Sequence, residues 1–257
     1  MQTIDKIIKK IKESDRLSQL IGLTVLLFLL SQILIAFGWF SLRYVALPNN
    51  FTGFYQHPWT LLTYGFFHVG FIALFFNMLL LFYFGSTLLD FSQPKKLLIS
   101  YLAGVLLGGM FFLFSNRFFP GMYINKTPLL GASAGVMSVM TYISMLMPHY
   151  QIKIRFLGFF KLIHILIFFV AFNLIQIPLG NPGGYFAHFG GIIAGLIIFA
   201  TDKYLVKSTK EITTKNSVSS PKQRKTSRLD AILDKINQSG YESLTNEEKE
   251  ELFKQSK

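Results

Sequence analysis

The sequence predicts an all-α polytopic membrane protein, a bundle of six transmembrane helices. Half of the 257 residues are hydrophobic, Phe alone occurs 28 times, and the mean hydropathy is positive, which is too oily for a soluble domain. Of 13 acidic residues only Asp5, Glu13, Asp15 and Asp90 precede Thr201, and Asp90 stands beside Gln93, Pro94 and two lysines where a loop is expected. No carboxylate is therefore expected inside a span. The formal charge of +12 would suit nucleic acid, but the basic residues cluster at the ends of apolar runs, so orientation in a bilayer accounts for them and nucleic acid is not an expected partner.

Taken in order, residues 1–16 carry Ile4, Ile7, Ile8 and Ile11 at helical spacing with Lys6, Lys9, Lys10 and Lys12 between them. This is the pattern of a helix lying on an anionic leaflet. A hydrocarbon core about 30 Å thick needs about 20 apolar residues of helix. Six stretches qualify, near 18–40, 67–86, 97–115, 130–147, 157–177 and 185–201, within a membrane domain spanning 17–204. The first run lacks a small-residue cleavage site and is read as a true span rather than a signal peptide. Residues 41–66, with Pro48, Asn49, Asn50, Gly53, His57, Pro58 and Trp59, suit a structured interfacial loop.

The N-terminus, the 90–96 turn, the 148–156 turn and the tail are basic, whereas the alternate loops hold only Arg43, Arg117 and Lys126. Both termini of the multi-pass chain are accordingly expected in the cytoplasm. Residues 205–227, rich in Ser, Thr, Lys and Asn, read as a solvated linker. In the remaining stretch, 228–257, Leu229, Ile232, Leu233 and Ile236 form one apolar stripe ending at Gly240, and Thr245 with Glu248 makes a capping-box pattern. A small helical hairpin follows, with no assigned partner.

Depth selects the chemistry. At 1.5 Å of rise per residue, Ser133, 15 residues from Pro148, lies about 22 Å from the inner boundary. His188, 14 residues from Asp202, lies at about 21 Å, and Asn77, 13 residues from Asp90, at about 20 Å. Three polar groups from three spans share one plane. His164 falls in the cytoplasmic half of its span, His149 in a cytoplasmic turn, and His57 and His68 at the outer edge.

A neutral imidazole at His188 can take the Ser133 proton and return it to a leaving amine. With no intramembrane carboxylate or lysine, the machinery is a Ser-His dyad. Asn77, with the backbone N–H groups of Ala132 and Ser133, can stabilise an oxyanion. Glycines bring the helices together where lipid supplies no hydrophobic drive: Gly131 with Gly135, Gly191 with Gly195, and Gly104 with Gly108. The absence of cysteine excludes disulfides and thiolate catalysis, and no metal or other cofactor is expected. A channel or transporter is disfavoured because no carboxylate in a span could couple ions.

These residues resemble the rhomboid intramembrane serine proteases over about 55–201. The resemblance rests on His57-Pro58-Trp59-Thr60-Leu61-Leu62-Thr63-Tyr64, on His68 and Asn77 nine apart, on Gly131-Ala132-Ser133-Ala134-Gly135, and on Ala187-His188-Phe189-Gly190-Gly191 with Gly195. It implies a six-helix core, Ser133 as nucleophile, His188 as base and Asn77 in the oxyanion hole. It further implies transmembrane protein substrates, a 41–66 loop partly embedded in the outer leaflet, and substrate entry gated by the fifth helix and the 178–186 loop. Three positions depart from the family pattern. Ala73 stands where many members have a second histidine, Met137 where many have a tyrosine, and Ala134 where glycine is commoner. The first two departures motivate a second expectation, a rhomboid-like protein that binds transmembrane helices without cutting them.

Overall fold

A computed structural model describes residues 15–120, 127–154, 158–176 and 182–216, and in the tail 231–232, 235–236 and 243–255. The expected N-terminal surface helix, residues 178–181 of the expected 178–186 loop and most of the first tail helix lie outside the described residues, while residues 182–186 open the last long helix instead of continuing the loop. The chain divides into two units, 1–201 and 202–257.

In the first unit the helices are α1 (Arg16–Ala36), α2 (Phe51–Gln56), α3 (Thr60–Thr63), α4 (Phe71–Phe91), α5 (Pro94–Phe118), α6 (Ser133–Leu146) and α7 (Leu162–Gln176). A final long helix, α8 (Pro182–Asn216), runs from the first unit into the second. Among the described residues four helices are long and apolar enough to cross a membrane: Arg16–Ala36, Phe71–Phe91, Pro94–Phe118 and the Gly183–Tyr204 part of α8. The spans expected at 130–147 and 157–177 appear as shorter apolar helices, α6 and α7, of 14 and 15 residues.

The outer faces of these helices are as oily as their inner ones. In α1 a stripe of Leu17, Leu20, Thr24, Phe28 and Ser31 is buried, while Leu23, Leu26, Leu29, Leu30 and Ile33 on the other side are exposed. A helix apolar all round but only half covered by protein is built for lipid. The buried hydroxyls of Thr24 and Ser31 are satisfied within the helix, on the carbonyls of Leu20 and Phe28.

Helix α6 is the axis of the bundle. Every residue from Ala134 to Ser144 is buried, and α4, α5 and α7 pack on it. Small residues make that enclosure possible. A Cβ on Gly104 would sit 2.6 Å from the Ala134 carbonyl oxygen, and one on Gly195 would sit 2.5 Å from that of Ser138. One on Gly191 would collide with the Ala134 carbonyl.

The 41–66 segment is structured, as expected, and hydrogen bonds lock it to the bundle. The Trp59 indole N–H donates to the Tyr44 carbonyl at 2.8 Å, the Tyr64 hydroxyl to the Val105 carbonyl at 2.6 Å, and the Tyr101 hydroxyl to the Gly65 carbonyl at 2.7 Å.

Several boundaries differ from expectation, and the first span already ends at Ala36 rather than 40. The second span begins at Phe71 rather than 67, because Gly70 caps it, and it runs to Phe91, so Asp90 lies in its last turn and not in a loop. The fifth begins at Leu162 rather than 157. Ahead of it the antiparallel strands β1 (Gln151–Ile154) and β2 (Gly158–Lys161) pair Ile152 with Phe160 and Lys153 with Phe159. Alternating apolar and charged residues with β-branched and aromatic side chains suit a hairpin, and the Lys153 ammonium lies 5.7 Å from the Phe159 ring centre. Lastly, α8 continues to Asn216, well into the stretch read as linker.

In the second unit α9 (Asn246–Gln255) follows a complete capping box. The Glu248 N–H donates to Thr245 Oγ1 at 3.3 Å and the Thr245 N–H to the Glu248 carboxylate at 2.8 Å. That carboxylate also pairs with Lys235 at 2.8 Å, and Ile232 and Leu244 are buried.

Candidate active site

Ser133 is the first residue of α6, where the backbone N–H groups of the opening turn have no partners within the helix. The chain reaches it through a turn that only glycine adopts without strain, since Gly131 has φ +127°. Gly131 was expected to pair with Gly135 on one packing face. The structure separates their roles: a Cβ on Gly131 would meet nothing, whereas one on Gly135 would meet the Tyr101 ring at 2.7 Å. The difference follows from Gly131 lying before the helix, so the i, i+4 relation does not hold.

His68 is buried beneath this turn, and its Nε2 accepts the Ala132 N–H at 3.3 Å. His68 thus ties the turn to the segment that precedes the second span. The same bond corrects the expected role of Ala132, whose N–H is already engaged and is not free for an oxyanion. The Ser133 N–H and Asn77 remain.

Ser133, Asn77 and His188 line one cavity of about 100 Å³, together with Met137, Asn173 and the apolar side chains of Leu80, Val136, Met140, Phe169 and Phe172. The shared depth inferred from residue counting thus corresponds to a shared cavity. Asn77 Nδ2 donates one hydrogen bond to the Ala73 carbonyl of its own helix at 2.8 Å. An amide carries two N–H donors, so the second remains available. Gly191 and Gly195, one and two turns beyond His188 on α8, set the close approach of that helix to α6.

Two residues at the site escaped the sequence reading. Asn173 of α7, 1% exposed, places Oδ1 2.6 Å from His188 Nδ1. It could have been found by the same count, being 12 residues, or about 18 Å, from Lys161. Tyr185, one turn before His188 on α8, sets its ring edge-on to the imidazole with centres 5.9 Å apart. It puts an aromatic neighbour on the imidazole, while Met137 of α6 lines the cavity. His57 packs on Trp59, 5.2 Å between ring centres. Among the described residues, no cluster of three or more His, Cys, Asp or Glu side chains is arranged to hold a metal ion.

The fold and cavity define a helical membrane protein that holds a serine, an imidazole and two amides among apolar helices. A rhomboid domain model matches residues 55–204, more than half of the chain. The chain belongs to the rhomboid family. A second model, a family of unknown function (DUF6576), matches residues 213–257. The chain is also similar to RHOMBOID-like protein 12, mitochondrial, of Arabidopsis thaliana, at 29% identity over 152 residues, which is 55% of this chain and 45% of that protein. The chain thus spans a little under half the length of this curated relative.

Proposed function

We propose that the protein is an intramembrane serine endopeptidase that cleaves transmembrane segments of other membrane proteins, with six membrane-crossing helices and both termini in the cytoplasm. The observation that carries this reading is the convergence of Ser133, His188 and Asn77 on one cavity within an apolar bundle. In the reaction, Ser133 Oγ attacks the scissile carbonyl carbon as His188 Nε2 takes its proton. The oxyanion is held by the Ser133 N–H and the free N–H of Asn77. His188 then protonates the leaving amine, giving an acyl-enzyme that water hydrolyses by the reverse relay. Substrate helices with a small residue before the scissile bond and a weakly helical stretch around it fit a cavity of this size, since the peptide must unwind to reach the serine.

Purified protein in vesicles should cleave a model transmembrane substrate, and Ser133→Ala should abolish cleavage. Undiminished activity of Ser133→Ala would overturn the assignment. A second reading, a rhomboid protein that binds helices without cutting them, draws on Ala73 and on the bond that holds one Asn77 N–H on its own helix. Labelling of Ser133 by a serine-directed fluorophosphonate would exclude it.

A further inference from the structure

The amide of Asn173 has only one orientation that satisfies both of its contacts. Its Nδ2 lies 2.6 Å from the Phe169 carbonyl oxygen, which can only accept, so that atom is the NH₂ group. The other amide atom, 2.6 Å from His188 Nδ1, is therefore the oxygen, and it too can only accept. A bond between them requires the proton on Nδ1, which leaves the lone pair of the neutral ring on Nε2.

Helix α7 shows how this contact is placed. Its described side chains bury only Leu162, Leu166 and Asn173, while Ile167, Phe168, Phe172, Leu174 and Ile175 are exposed. A polar amide at one of three buried positions of an otherwise apolar helix, with both ends hydrogen-bonded, is costly to keep in hydrocarbon without a task. Its depth matches that of Ser133 and His188, and all three line the same cavity.

We propose that Asn173 is the positioning residue of the site, fixing His188 as its Nδ1–H tautomer and fixing the ring plane, so that Nε2 is the atom offered to Ser133. The inference rests on the protease reading for its catalytic consequence, but not for the tautomer itself. The arrangement is then Ser-His-Asn rather than a bare dyad. An amide does for the imidazole what a carboxylate does in other serine hydrolases, without placing a charge in the bilayer.

The test uses the full chain in vesicles with histidine labelled by ¹⁵N, the His188 signal being assigned by its loss in His188→Gln. The wild-type spectrum should show His188 with the proton on Nδ1, and Asn173→Leu should move it to Nε2 or to a mixture. In the same preparations Asn173→Leu should lower kcat by about 10²-fold with KM little changed. Wild-type His188 carrying its proton on Nε2 would overturn the proposal, and this measurement needs no variant to fold. So would an Asn173→Leu spectrum identical to wild type. If wild type neither cuts substrate nor labels at Ser133, the protease reading fails while the spectra still decide the role of Asn173.

Discussion

Leu47 and Leu129 face each other as an isolated antiparallel pair, each N–H on the other's carbonyl at 3.0 and 2.9 Å. This joins the segment after α1 to the residues that lead into Ser133. Two more bonds follow in order along the same lead-in, Gly131 N–H to the Tyr64 carbonyl at 2.9 Å and Ala132 N–H to His68. The serine is thus held in place from outside its own helix. Leu47 is fully buried, so Leu47→Ala should cost about 2–5 kcal/mol. Thermal unfolding in detergent should record that loss, and the rate of Ser133 labelling should fall with it.

Gly131→Ala isolates the turn from the packing. The added methyl meets no atom, so any loss arises from the backbone, φ +127°, at about 1–3 kcal/mol. The expected result is a folded protein whose serine reacts more slowly with a fluorophosphonate. An unchanged labelling rate would show that the turn geometry is not needed.

Asn77→Ala removes a donor made useful only when negative charge develops on the substrate. A fall of about 10²-fold in kcat with KM nearly constant is expected. Steady-state kinetics on a transmembrane substrate decide it, and a change confined to KM would place Asn77 in substrate binding instead.

Gly191→Val and Gly195→Val drive a side chain into the α6 backbone at the Ala134 and Ser138 carbonyls. Backbone cannot turn aside as a side chain can, so at least the upper end of the 1–3 kcal/mol usual for overpacking, about 3 kcal/mol, is expected for each. Gly22→Val, where a Cβ meets nothing, is the control and should leave the unfolding midpoint nearly unchanged.

In the tail, the Lys235 side chain and then the Thr245 N–H hold the Glu248 carboxyl below its usual value of 4.5. A depressed folded-state value gives stabilisation that is complete above the unfolded value and is lost as pH falls through the folded one. The tail should therefore resist proteolysis equally at pH 6 and 7 and become more susceptible below about pH 4.5. Glu248→Gln should remove that pH dependence.

The membrane character, the 41–66 structured segment and the capping box of Thr245 and Glu248 were legible because each is written in local pattern. Ser133, His188 and Asn77 were legible because a helix converts residue count into depth. Asn173 was less legible, since an amide in a helix of leucine, isoleucine and phenylalanine reads as an incidental polar residue until its partner is seen. The hairpin ahead of α7 was hidden because Gly158-Phe159-Phe160 continues the hydropathy of the following helix, and only its pairing with Gln151–Ile154 distinguishes it. The roles of Gly131 and Ala132 turn on one dihedral angle and one long-range bond, which spacing does not encode.

The shortness of α6 has a consequence for the backbone that adjoins Ser133. Fourteen residues of helix measure about 21 Å, against about 30 Å of hydrocarbon. The shortfall lies at one end or the other, and the irregular chain joined to Ser133 through Leu47, Tyr64 and His68 occupies its end of α6. Backbone of that kind survives at membrane depth only against protein or against water. Here the shelter is protein: Leu47 and Ala132 are 0% exposed and Leu129 7%, so the bundle itself roofs the polar backbone in front of Ser133 and spares it from contact with lipid tails.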